Sequence, residues 1–171
     1  MDLMRHSSFG ASVLFGIGVL LLAGAPCALQ AEFRMGHAAV DITPPKGMPM
    51  QGYYYVRLSE GMHDPLQAKA IVLEGGAGRI AMVALDLASI PRNYVDEARR
   101  LIHHADSSLP PAQVMISATH SHTGPELSGR LRNVDPATEA LARAYYEKLP
   151  ALIAESVQRA SSNLRPARIG T

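Results

Sequence analysis

The sequence predicts an α/β fold on one mixed sheet, with a β-hairpin, a β-α-β unit and flanking helices. Residues 68–74 and 79–87 are apolar, branched runs separated by Gly75-Gly76-Ala77-Gly78, a stretch suited to a hairpin turn, so they should pair antiparallel. After Pro91, the apolar residues Tyr94, Val95, Ala98, Leu101, Ile102 and Ala105 fall at helical spacing, while Asp96, Glu97, Arg99 and Arg100 face away. Gln113-Val114-Met115-Ile116 then reads as a buried strand running to Ala118. A strand, an amphipathic helix and a second strand form a β-α-β unit, whose strands run parallel with a right-handed crossover. One sheet holding both pairings is mixed.

The remaining elements follow in order. Arg5 and His6 precede an apolar run over residues 13–25, and small residues lead on to Ala31, which is the pattern of a secretory signal peptide over residues 1–31. The run is shorter than the ~20 residues that span a bilayer, so an uncleaved membrane anchor is the minor alternative. Export predicts a secreted or periplasmic location for residues 32–171. Residues 36–43 form a first strand that stops at Pro44-Pro45, where backbone donors are lost. Residues 44–65, with Tyr53-Tyr54-Tyr55, show no period; they are either an ordered loop near a site or an aromatic cover over the core. Asp135-Pro136 starts a second helix, with aspartate as cap and proline in the first turn. Leu141, Tyr145, Leu149, Leu152, Ile153 and Val157 continue its apolar face, and Pro150 predicts a kink. Arg165 to Thr171 looks like the start of another strand, which predicts an incomplete domain.

Composition excludes little but excludes it clearly. Sixteen Lys and Arg against fifteen Asp and Glu give a formal charge of +1, with no basic block, so nothing points to nucleic acid. The single cysteine, Cys27, falls in the leader, which leaves no disulfide framework for the exported part.

The chemistry concentrates at Ser117-Ala118-Thr119-His120-Ser121-His122-Thr123-Gly124-Pro125. Two imidazoles two residues apart, at the end of a buried strand, converge on one point if the backbone stays extended. Neutral imidazole is the commonest metal ligand, and a convergent pair supplies half of a tetrahedral zinc shell. The alternative is that both rings simply hydrogen-bond neighbouring loops. The β-α-β unit also puts Asp86 and His120 at the carboxyl ends of adjacent parallel strands, where α/β sheets form ligand crevices. Asp86 would either orient a ligating histidine or cap the following loop. His63, between Gly61 and Asp64-Pro65, lies either at the site or in an Asx-type turn. His103 and His104 fall on the polar helix face.

The His-x-His stretch resembles the Ala-Thr-His-Thr-His-Ser-Gly-Pro signature of the neutral, non-lysosomal ceramidases, zinc-dependent amidases that cut the N-acyl bond of ceramide. Ala39-Val40-Asp41-Ile42-Thr43, Met50-Gln51-Gly52-Tyr53, the segment from Gly61-Met62-His63-Asp64-Pro65 to Ala70, and Ala84-Leu85-Asp86-Leu87 resemble further segments of that family in the same order. The resemblance runs over residues 35–171. It implies Zn2+ as cofactor, His120 as a direct ligand, and His122 as a catalytic residue beside the metal that contacts the scissile group. It places His63 near the site. It also implies a lipid-amide substrate, ceramide at a membrane surface by default. The family's other ligands, a later histidine, a glutamate and a tyrosine, have no counterpart in these residues. A non-catalytic exported fragment or binding domain that keeps part of the site is therefore the second reading. A metallo-β-lactamase-like hydrolase is disfavoured, because Thr123-Gly124 stands where that family has Asp-His.

Overall fold

A computed structural model describes residues 32–128 and 133–170. The signal-peptide reading of residues 1–31 lies outside the described residues. Five strands form one mixed sheet: β1 (Arg34–Asp41), β2 (Gln67–Gly75), β3 (Gly78–Leu85), β4 (Val114–Ala118) and β5 (Arg165–Pro166), in the spatial order β4-β3-β2-β1-β5. The two helices are α1 (Arg92–Ala105) and α2 (Pro136–Ser162).

Local chemistry explains most of these elements. β2 and β3 pair antiparallel, with Gly75 opposite Gly78 and a tight turn at Gly76-Ala77 between them. Gly78 has φ +118°, a conformation that glycine enters without steric cost. β3 and β4 are parallel, with Leu85 beside Ala118, so the strand-helix-strand reading holds. Asp135 caps α2, its side chain accepting from the amides of Ala137 and Thr138 at 3.0 Å each. Pro150 is buried inside α2, which runs on to Ser162. β5 pairs antiparallel with β1, the strand anticipated near Arg165.

Both helices cover the same side of the sheet. Val72, Val83, Leu85 and Val114 from the strands meet Ile102 of α1 and Leu149, Ile153 and Val157 of α2 in one buried cluster. Period-2 alternation turns the intervening residues to the opposite face. There Met35, Ile80 and Met115 are exposed, and a shallow groove is lined by His37, Lys69, Ile71, Met82, Met115 and Ser117. Arg99 of α1 departs from expectation. Its guanidinium is half-buried and donates to the Val114 carbonyl at 2.9 Å, satisfying an acceptor at the start of β4 rather than facing solvent. Among the described residues, no helix is long and apolar enough to cross a membrane.

The hairpin end of the sheet is tied by charge. Glu74 takes Arg34 on one oxygen at 3.0 Å and Arg79 on the other, and Arg79 reaches on to Asp106 at 3.0 Å. The Arg79 hydrogen bond holds the Glu74 carboxyl below its ordinary value. For Asp106, burial pushes upward, but hydrogen bonds from Ser108 and the Arg79 charge outweigh it and the net shift is downward. A carboxylate whose folded pKa is lowered contributes stability above its unfolded pKa and loses it as pH falls through the folded value. Stability should therefore decline as acid protonates this cluster, and Glu74→Gln should lower stability at neutral pH, where the ionised carboxylate contributes, and flatten that acid limb. Chemical denaturation at a series of pH values checks this; parallel acid limbs in the two proteins would contradict it.

Candidate functional site

The site forms where β3 and β4 end together. After Ala118 the chain keeps bonding to the segment beyond β3: the Thr119 amide donates to the Leu85 carbonyl at 2.9 Å, and the Ser121 amide to the Leu87 carbonyl at 3.1 Å. Between these bonds His120 takes φ +66°, a left-handed conformation that non-glycine residues rarely occupy. Such strain persists only where surrounding contacts impose it, and it clusters at functional sites. The extended backbone expected at the histidines is therefore corrected. The pair converges through a turn, because the flanking amides stay bonded to the β3 side while His120 rotates between them.

Convergence itself is close. His120 Nε2 and His122 Nε2 lie 3.3 Å apart, with ring centroids at 4.9 Å and planes at 69°. His120 Nδ1 is 2.9 Å from the Ala88 carbonyl. A carbonyl oxygen only accepts, so Nδ1 carries the proton and Nε2 presents a lone pair. This is the tautomer a metal-ligating histidine needs, with its other nitrogen oriented by a backbone carbonyl. Both rings are open to solvent.

A second segment braces the loop. Met50 and Pro125 form an isolated antiparallel bridge. The Gln51 amide donates to the Gly124 carbonyl at 3.0 Å, and the Glu126 amide to the Pro49 carbonyl at 2.8 Å. Gln51 Nε2 also donates to Ser89 Oγ at 2.7 Å, next to the carbonyl that orients His120. Tyr146 of α2 donates its hydroxyl to the Glu126 carbonyl. Burial, chiefly, pushes that phenol up to about 12, so it stays protonated and donating. The region 44–65 is thus the ordered loop near the site. The aromatic-cover alternative fails: Tyr54 and Tyr55 are exposed, and Tyr53 instead stacks under the Arg57 guanidinium at 4.9 Å and accepts its hydrogen bond at 2.7 Å.

The other candidates make different contacts. Asp86 follows β3 directly, yet its carboxylate accepts from Lys69 Nζ at 2.8 Å and from the Gln67 amide at 3.1 Å, joining β2 to the end of β3. Neither role foreseen for it is the one it fills, because strand alternation turns it to the uncovered face while the histidines are set by the Ala88 side. His63 is 99% exposed, with the Asp64 carboxylate at 3.7 Å. Among the described residues, no cluster of three His, Cys, Asp or Glu suitable for a metal forms. Sequence reasoning missed the Ala88 carbonyl and the brace through Met50 and Gln51. A backbone carbonyl leaves no residue-type signal, whereas Met50 and Gln51 stood in a motif already singled out.

Residues 33–171 match the sequence profile described as neutral/alkaline non-lysosomal ceramidase, N-terminal. The chain belongs to this ceramidase family. Two solved structures agree in fold. Neutral ceramidase from Pseudomonas aeruginosa matches with a TM-score of 0.64 at 24% identity over 80% of this chain and 22% of that one. A ceramidase complexed with C2 matches with a TM-score of 0.61 at 22% identity, again over 80% and 22%. The chain thus spans about a fifth of the length of these ceramidase chains. The search of curated proteins returned no match.

Proposed function

We propose that this chain supplies the first part of the catalytic centre of an exported, zinc-dependent hydrolase that cleaves the N-acyl amide of ceramide or a related lipid amide at a membrane surface. The observation that carries this reading is the 3.3 Å approach of His120 Nε2 and His122 Nε2, with His120 held in the ligating tautomer by Ala88. Family membership supports the reaction class.

The donor chemistry suits part of a zinc shell. His120 offers a neutral imidazole nitrogen on a ring already oriented through its other nitrogen. When bound, Zn2+ would supply Lewis acidity for the amide carbonyl and make water nucleophilic near neutral pH. His120 would hold it through Nε2, while the Ala88 carbonyl keeps the ring from turning. His122 would stand beside it and donate Nε2–H to the amide oxygen as negative charge grows there. Two nitrogens on one tetrahedral ion with Zn–N bonds of ~2.0–2.1 Å stand about 3.3–3.4 Å apart, so the 3.3 Å separation favours a second arrangement, in which His122 ligates too.

Catalytic zinc sites use about three protein ligands, and the described residues bring two imidazoles together. The 171-residue chain should therefore bind zinc weakly and exchangeably and show no appreciable turnover of a fluorogenic N-acyl sphingosine. A longer chain that joins these residues to the remainder of a ceramidase should turn it over and lose activity on chelation. Chelator-sensitive turnover by the short chain, absent from its His120→Ala variant, would show that the ligand set is misjudged. A longer chain without zinc or amidase activity would favour the non-catalytic binding reading.

A further inference from the structure

Gly52 stands against His122 with nothing between backbone and ring. Its φ of +97° is a left-handed conformation that side chains disfavour. A Cβ built there would fall 2.4 Å from His122 Nδ1, 2.5 Å from Cγ and 3.0 Å from Cβ. These atoms are the root of the imidazole rather than the far end of a flexible chain, so the ring cannot evade a methyl group by a small rotation. It would have to change rotamer or carry its backbone along.

Gly52 cannot easily retreat either. Its neighbours Met50 and Gln51 are paired with Pro125 and Gly124, and the Glu126 amide is bonded to Pro49. The two segments are therefore tied together next to the His122 ring. The Nδ1 edge of that ring faces the bare backbone of Gly52, and its Nε2 faces His120. Covering one nitrogen selects the other for the site.

We infer that Gly52 is a positioning residue whose missing side chain seats the His122 imidazole so that Nε2 turns toward His120. The seat itself needs no metal; its consequence for hydrolysis rests on the function proposed above. A reacting group misplaced by about 1 Å costs on the order of 10²-fold in rate, so a methyl at this position acts on catalysis through His122.

The test uses the chain carrying 15N-labelled histidine. His122→Ala first assigns the His122 ring resonances. Gly52→Ala should then move the ring resonances of His122 and His120 and leave those of His37, His63, His103 and His104 in place. Unmoved His122 resonances would overturn the inference. Cobalt(II) titration of the parent chain, followed by its visible absorption, tests the metal reading separately. If the ring resonances move but the parent chain binds no cobalt(II), the seat stands and the metal reading falls. Thermal melts of Gly52→Ala, His122→Ala and the double variant separate ring contact from backbone strain. Ring contact predicts that Gly52→Ala costs less once His122 is alanine; equal costs in the two backgrounds would overturn it. Should Gly52→Ala fail to fold, a folded double variant upholds the contact, and a double variant that also fails refutes it.

Discussion

Gly36→Ala should lower the melting temperature by roughly 10 °C, the equivalent of about 3 kcal/mol for a domain of this size. The reason is contact, not conformation. A Cβ at Gly36 would lie 2.0 Å from the Ala160 carbonyl oxygen and 3.0 Å from the Leu164 amide nitrogen, so the added methyl meets backbone that has no rotamer to change. α2 must lift away from β1, and Val157 and Ala160 lose their packing in the shared core. Gly75 offers the control, because a Cβ there meets nothing within 4 Å. Gly75→Ala should melt close to the parent. A Gly36→Ala protein that melts within about 2 °C of the parent would mean that α2 adjusts without loss of packing.

His122→Ala should slow amide hydrolysis by roughly 10²-fold or more in a longer ceramidase chain that carries these residues, the usual cost of losing one oxyanion-stabilising donor. The loss should appear in kcat rather than KM, since the donor acts on charge that develops only in the transition state. Equal turnover by parent and variant would remove His122 from the chemistry. A fall in KM-limited binding alone would move it from catalysis to substrate positioning.

The sheet and its helices were legible because their signals are local. The Gly-Gly-Ala-Gly turn, the 3.6-residue spacing of Val95, Ala98 and Ile102, and the Asp135-Pro136 cap each act within one turn of chain. The histidine pair was legible for the same reason, as two residues at a strand end. Its geometry was not, because the left-handed φ of His120 is imposed by bonds to Leu85 and Leu87, more than thirty residues earlier. Asp86 shows the same limit. Its identity and strand-end position suggested a partner for histidine, but the face it occupies is settled by pairing with β2, which places Lys69 beside it. Gly36 and Gly52 carry their weight through what approaches them from distant segments, and a glycine in sequence does not announce its neighbours.

Zinc stoichiometry is the most direct test of the His120 assignment. Elemental analysis of the longer chain should find one tightly bound zinc in the parent, none in His120→Ala and retention in His122→Ala. Loss of zinc from both variants would make His122 a second ligand, as the 3.3 Å nitrogen separation also permits. Unchanged zinc in His120→Ala would contradict the metal centre proposed at the ends of β3 and β4.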